Sequence, residues 1–241
     1  MFMENILNKT ADPEDLKLAE VRKAAERLKK LSHWLWWRRI PYALNGALRT
    51  RWRIRWHKLW EYSRGLAFGD FDKAARVLDF GGGATLPIFL LAKEGRQVLS
   101  LDIDSSLTDH TNMLARKFGW PLNGSTFDIT RNEVPGDWEP FDRVISYCVI
   151  EHIPKEMQRA SVKRLADLLK PGGMFQMTFD FGKDAPVEGA LRSVDEVKQL
   201  IDASGLEPVE NREFQDTGGR YVLDKKYPRN KFTFGSLFLK K

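Results

Sequence analysis

The chain has one cysteine, Cys148, so no internal disulfide can form, and a reducing cytoplasmic setting is expected. No apolar run approaches the roughly 20 residues that a membrane-spanning helix needs. The start, Met1 to Thr10, lacks the basic-then-apolar form of a secretion signal. Internal repeats and low-complexity linkers are also missing. With 42% hydrophobic and 30% charged residues, a disordered chain is excluded. The 241 residues suffice for one large domain, or for a domain with an extension.

Charge is distributed unevenly. Residues 1–70 hold 15 Lys and Arg against 8 Asp and Glu, so they carry all of the net charge of +6. Six of the eight tryptophans also precede residue 70. The remainder is near neutral, which disfavours a core that grips nucleic acid, since such domains are usually strongly basic. The chain therefore divides into a basic, Trp-rich helical extension, residues 1–70, and a domain over residues 71–241.

In the extension, Asp12-Pro13-Glu14-Asp15 reads as a helix start with a capping Asp and acids near the positive dipole end. Leu18, Val21, Ala25, Leu28, Leu31 and Leu35 recur at three- and four-residue steps. One amphipathic helix over residues 13–38 is expected, ended by Pro41. A second is expected over residues 44–62, with Leu48, Trp52, Trp56, Leu59 and Trp60 as its stripe and Arg49, Arg53 and Lys58 beside it. The period-two alternation from Arg51 to Trp56 keeps a strand open as the alternative.

From Ala75 onward strands and helices alternate. Strands are expected at 75–80, 97–102, 124–128, 141–147 and 173–180, and helices at 85–94, 105–118, 155–170 and 193–204. That rhythm predicts an α/β fold with a mostly parallel sheet and helices on both faces. Residues 206–214 and 231–239 read as strands with no helix between them.

The first strand of this series ends in Gly81-Gly82-Gly83 and runs into a helix. Glycines there permit positive φ and let a ligand approach the backbone. About 20 residues on, a second strand ends in Asp102, where a carboxylate suits the two hydroxyls of a ribose. Asp104 is a competitor. A dinucleotide fingerprint needs a third glycine where this chain has Leu86. Asp79, just before the glycines, would repel a phosphate but attract an ammonium. A ligand with a ribose and a cationic amino-acid end fits better, and S-adenosylmethionine is such a ligand.

Here the chain resembles the class I S-adenosylmethionine-dependent methyltransferases. The resemblance rests on Asp79-Phe80-Gly81-Gly82-Gly83, Asp102, Phe127-Asp128-Ile129, Phe141 to Ile145, Ile150-Glu151-His152-Ile153 and Leu169-Lys170-Pro171-Gly172-Gly173, and covers about residues 71–181. It implies a Rossmann-like, seven-stranded sheet with a final antiparallel pair. It also implies Gly81, Gly82, Gly83, Asp79, Asp102 and Ile103 around the methionine and ribose, Asp128 and Ile129 at the adenine, and Ser146 and Tyr147 facing the methionine. Asp128 before Thr130 reads equally as a turn former. Glu61, Tyr62 and Arg64 precede the core, where the extension could fold over the cofactor. Arg64 is then a partner for the methionine carboxylate and Tyr62 an aromatic contact for the sulfonium.

His152 follows the fourth strand and is the natural general base, with helix capping as the alternative; Asp180, Arg220 and Tyr221 are candidate acceptor contacts. Ubiquinone-pathway O-methyltransferases and small-RNA 2′-O-methyltransferases resemble the Glu151-His152 stretch, but carry a further magnesium-holding Glu where this chain has Cys148. A thiol is a poor ligand for a hard cation, so no metal is expected. The Pro-Cys of pyrimidine carbon-5 methylation and the Asn-Pro-Pro-Tyr of base amino methylation are both lacking, so Cys148 reads as a buried strand cysteine.

Between Trp34 and Trp60, tryptophan interleaves with arginine. The stretch suits packing on the core with a solvated Arg face, peripheral contact with the inner face of a membrane, or stacking on nucleic acid. Trp-Glu-Tyr before the core resembles methyltransferases of bacterial glycan assembly, which points to an oxygen of a sugar, glycan or other small molecule, lipid-linked or free. An RNA-modifying enzyme clamped by the extension, and a cofactor-binding protein without turnover, are the competing functions.

Overall fold

The computed structural model describes residues 6–136, 138–223, 226 and 228–241. In chain order the strands are β1 (Lys9–Thr10), β2 (Tyr42–Leu44), β3 (Ala47–Arg49), β4 (Arg76–Phe80), β5 (Gln97–Asp102), β6 (Leu122–Thr126), β7 (Phe141–Tyr147), β8 (Leu169–Phe181), β9 (Glu207–Pro208) and β10 (Thr233–Lys240). The helices are α1 (Ala19–Trp37), α2 (Trp56–Phe68), α3 (Leu86–Lys93), α4 (Ser105–Phe118), α5 (Lys155–Asp167) and α6 (Val194–Ser204).

The main sheet runs β1-β10-β8-β7-β4-β5-β6, with β9 also paired to β10. Strands β4 to β8 are parallel, and β10 is antiparallel to β8. Side chains of successive strand residues point to opposite faces. Val77 and Ile145 accordingly join the core under α1 to α4, and their neighbours Leu78 and Val144 join the core under α5 and α6. The chain winds outward one way from β4 and the other way from β7, so a crevice opens at their carboxyl ends, where such sheets bind ligands. Seven strands were expected; β1, contributed by the N-terminal segment, is an eighth.

The expected helix over residues 13–38 is broken at Leu18, which is extended (φ −60°, ψ 138°). Residues Pro13–Lys17 form a 3-10 turn instead, capped by Asp12. The reason is tertiary: Asp15 is buried and accepts from Lys9 Nζ (2.7 Å), Trp60 Nε1 (2.9 Å) and Arg64 Nη1 (2.9 Å). The expected helix over 44–62 is wrong in its first half. Asn45 and Gly46 both have positive φ (51° and 67°), as a tight hairpin turn requires, and join β2 to β3. Helix α2 begins only at Trp56.

At the tail, the strand expected over 206–214 shrinks to β9. Pro208 has no N–H for a ladder, and Glu210 turns to φ 62°. The edge of β10 left beside it is taken by β1. The strand expected at 124–128 lies two residues earlier because Asp128 opens a turn, accepting from Thr130 N and Oγ1 at 2.9 and 2.6 Å.

Helix α1 lies on α2 and α3, and its Leu28, Leu31 and Leu35 are buried in the same cluster as Val77, Phe89 and Ile145. Trp60 is fully buried, Trp34 packs on Phe118 (ring centroids 4.9 Å apart) and Trp56 on Tyr221 (5.0 Å). Trp36, Trp37 and Trp52 stay exposed. Among the described residues, no helix is long and apolar enough to cross a membrane.

Candidate functional site

The glycine turn follows β4. Gly81 has φ +74° and donates its N–H to Leu101 O (2.7 Å), and a Cβ there would stand 2.5 Å from Val149. A Cβ on Gly82 would stand 2.3 Å from Asp79 Oδ1, and one on Gly83 2.9 Å from Asp102 Oδ2. The glycines thus let two carboxylates come up against the turn. Hairpin β2–β3 rests on it, with Ala43 N donating to Ala84 O (2.7 Å).

Asp102 accepts from Gly83 N (3.1 Å) and Asp104 N (3.0 Å). The helix-capping work belongs to Asp104, which accepts from Ser106 N (2.8 Å) at the start of α4. Asp102 is therefore free of that duty and closes the turn, with exposed Ile103 beside it. Asp79 is buried. Its Oδ2 accepts from Ser100 Oγ (2.7 Å), while Oδ1, against Gly82, has no hydrogen-bond partner. Burial, with Asp102 adding to it, raises its pKa to about 7. A buried, unpaired carboxylate oxygen fits a cationic ammonium, and the cradle that any Cβ would fill fits a ligand lying on the backbone. The residues present fit S-adenosylmethionine.

Tyr62 on α2 and Tyr147 at the end of β7 form an edge-to-face pair, 5.5 Å between centroids. Asp79 is close enough to raise the pKa of both hydroxyls further, burial being the larger cause. The structure thus brings Tyr62, Tyr147 and the buried Ser146 to the switch-point side of the turn. Arg64 is a correction. Two residues from Tyr62 on a helix, it points away from it. Its guanidinium is spent on Asp15, Ile6 O (3.1 Å) and Leu7 O (2.8 Å), so it is not a partner for the methionine carboxylate. The Ile129 side chain is fully buried in the core and its carbonyl accepts from Arg164 Nη1 (2.7 Å), so only its backbone N–H is left for the adenine. Asp128 uses Oδ1 for its turn, and Arg131 Nε lies 3.5 Å from Oδ2.

Across the crevice lies a polar cluster that sequence reasoning largely missed. Glu61 on α2 is fully buried and accepts from Cys148 Sγ (2.9 Å) and Thr178 Oγ1 (2.8 Å). Lys58 Nζ, itself buried, lies 3.2 Å from Glu61 Oε1. Burial alone would lower the Lys58 pKa, but the acidic groups around it, Cys148 and Glu61 foremost, hold it well above the usual range. Glu151 and Asp180 face each other, and burial first, then Asp180, pushes the Glu151 carboxyl far up. Glu151 Oε2 has no hydrogen-bond partner. Cys148 sits at φ 56°, a strained value for a side-chain-bearing residue, which turns its thiol towards Glu61. Lys58, expected beside the apolar stripe with Arg49 and Arg53, is buried; its apolar sequence neighbours Leu59 and Trp60 are the signal for that.

Ligand atoms of Cys148, Glu151 and Asp180 lie within 4.8 Å of one another. Burial pushes the pKa of the Cys148 thiol and of the Glu151 carboxyl well up, and Lys58 already brings a positive charge. That donor chemistry suits hydrogen bonding to an acceptor better than a divalent cation. His152, on the 3-10 turn Ile150–His152, is exposed on one side and desolvated on the other. Desolvation and then Lys58 lower its pKa, so the ring is neutral at pH 7. It does not cap α5, whose N-cap is Pro154. Arg220 is tied to Asp216 (2.7 and 2.9 Å), which removes its charge from the acceptor side, and Tyr221 packs against Trp56.

Residues 77–173 match the family model described as a methyltransferase domain. The chain is 29% identical over 144 residues to the tRNA U34 carboxymethyltransferase of Hydrogenovibrio crunogenus, a match covering 57% of this chain and 41% of that one. It is 27% identical over 172 residues to the ubiquinone biosynthesis O-methyltransferase of Dinoroseobacter shibae, covering 63% and 68%. The fold is similar to magnesium protoporphyrin IX methyltransferase from Synechocystis PCC 6803 with bound SAH, at TM-score 0.53 and 15% identity over 92% of this chain and 85% of that one. The chain spans less than half the length of the tRNA-modifying relative. A carboxylate closing the glycine turn and another buried beneath it fit S-adenosylmethionine, and residues 77–173, which hold both, are similar to the methyltransferase-domain family.

Proposed function

We propose that this chain methylates a hydroxyl oxygen of a sugar, glycan or other small molecule. The observation that carries the reading is the buried polar cluster of Glu61, Cys148, Glu151 and Asp180 at the ends of β7 and β8, with His152 on the 3-10 turn that follows β7. S-adenosylmethionine, when bound, supplies an electrophilic methyl group on a sulfonium. The chain's own residues do the rest. Asp79 takes the ammonium end, Asp102 the ribose hydroxyls, and Ile103 with Asp128 borders the adenine. Tyr62 and Tyr147 present aromatic faces on the switch-point side. Glu151 and Asp180, brought together at the crevice, offer hydrogen-bonding groups that suit an acceptor rich in hydroxyls. His152 takes the proton of the reacting hydroxyl on an imidazole nitrogen.

Alignment of the reacting groups supplies roughly 7–11 kcal/mol of such a displacement. A general base adds about 10²–10⁴-fold, or roughly 3–5 kcal/mol. His152→Ala should therefore lower kcat by about 10²-fold or more while SAH affinity stays unchanged in calorimetry. An unaltered kcat overturns the base assignment. The acceptor class is tested by labelling extract fractions with methyl-labelled S-adenosylmethionine and separating lipid, glycan, RNA and small-molecule pools. A second reading, an RNA acceptor, draws on the basic N-terminal segment and on the activity named for the Hydrogenovibrio relative. It requires label in the RNA pool and steeply salt-dependent binding.

A further inference from the structure

We infer that the Arg- and Trp-rich face at the end of α1 docks on an anionic phospholipid surface. From Arg27 to Trp60 the chain carries ten Lys and Arg and no Asp or Glu. Most of these cations are exposed, Lys58 being the buried exception. Trp36, Trp37 and Trp52 are 41%, 75% and 47% exposed, and they are the large aromatic side chains that the described residues leave out in solvent. Trp36 and Trp52 form one patch with the cations. His33 lies 5.7 Å from Trp36 and 6.4 Å from Trp52, which joins α1 to the segment after β3. Ser32 Oγ donates to Arg51 O (3.3 Å) and fixes that segment to the helix. Arg38 lies over Trp34 and Arg53 over Trp52, at 4.2 and 4.5 Å from the ring centroids.

Indole rings level with guanidinium groups match the boundary between headgroups and acyl chains, where the ring is half buried and the cation meets phosphate. An RNA partner fits less well. One face of Trp36 is covered by His33 and one of Trp52 by Arg53, which leaves less ring for bases. An RNA entering the crevice would also cross residues 71–241, whose net charge is −1. A bilayer needs only the one face. That face borders the crevice: the segment 50–55 runs from the hairpin seated on Ala84 to α2, which carries Lys58 and Glu61 into the polar cluster.

The test is co-sedimentation of the full chain with vesicles of phosphatidylglycerol and phosphatidylcholine, against phosphatidylcholine alone, at about 0.1 M salt. Binding to the anionic vesicles is expected, with a blue shift of Trp emission. It should fall at least tenfold in W36S/W37S/W52S and in R51E/R53E/R55E. Both variants change exposed side chains, and unaltered melting temperature and SAH affinity verify their folds. Binding that ignores both variants, or none to anionic vesicles, overturns the inference. So does a salt-sensitive affinity for mixed-sequence RNA that exceeds vesicle binding and is lost in the same variants.

Discussion

Asp79 shows how one buried atom links stability and binding. Its native pKa of about 7 lies above the usual carboxylate range, so between about pH 4 and 7 the folded chain holds a proton that the unfolded chain has released. Its contribution to stability is therefore full at low pH and is lost as pH rises through 7, by roughly 1.4 kcal/mol per unit. Ligand binding runs the other way, because the ammonium needs the ionised form. SAH affinity should rise about tenfold between pH 6 and 8 in calorimetry, and Asp79→Asn should abolish that rise. An equal affinity at both pH values in the unsubstituted chain would sink the ammonium assignment. Asp102→Ala should weaken SAH binding by about 1.5–3 kcal/mol with little effect on the melting temperature, since its two hydrogen bonds serve the turn rather than the core. Both acids were legible in the sequence, because a glycine turn and a strand end leave few places for them. The place of Arg64 was not, because which side of an element faces the ligand depends on tertiary partners, here Asp15.

At the scale of elements, helix α2 is where the two halves of the site meet. Gly65 lets it cross the end of β7 closely: a Cβ there would stand 2.1 Å from Tyr147 Oη. Gly65→Ala should improve helix propensity yet destabilise the chain by about 1–3 kcal/mol, because the Tyr147 ring must move. It should also lower SAH affinity through the displaced Tyr62–Tyr147 pair, and a melt and a titration on the same sample check both. The alternating strands and helices after residue 75 were legible because apolar runs and caps repeat there with a regular rhythm. The hairpin β2–β3 was not, because Trp and Arg at three- and four-residue spacing imitate a helical stripe over residues 48–60. Asn45-Gly46 was the stronger signal, since both residues take positive φ. The buried pair Lys58–Glu61 was hidden in the same way, since an i,i+3 ion pair on a basic helix normally faces water.

Across the whole molecule, the N-terminal 70 residues complete the fold as well as carrying the exposed patch. Strand β1 covers the edge of β10, and Asn8 holds the same strand through Phe238 N (2.7 Å to Asn8 Oδ1). Asp15 ties the segment to α2 through Trp60 and Arg64. Helix α1 buries Val21, Ala24, Ala25, Leu28, Leu31 and Leu35, most of them in the cluster that also holds Val77 and Phe89 under the sheet. Deleting residues 1–40 would take Leu28, Leu31 and Leu35 out of that cluster, at about 1.5–3 kcal/mol each, and would remove Asp15 from Trp60 and Arg64. The apolar surface so uncovered exceeds what a domain of ordinary stability can bear. The truncated chain should therefore be insoluble or unfolded rather than selectively inactive. Expression, soluble fraction and thermal melts with and without SAH check this. A soluble truncation that melts cooperatively and binds SAH as the full chain does would show instead that residues 71–241 hold together alone, and that α1 serves only the surface it presents.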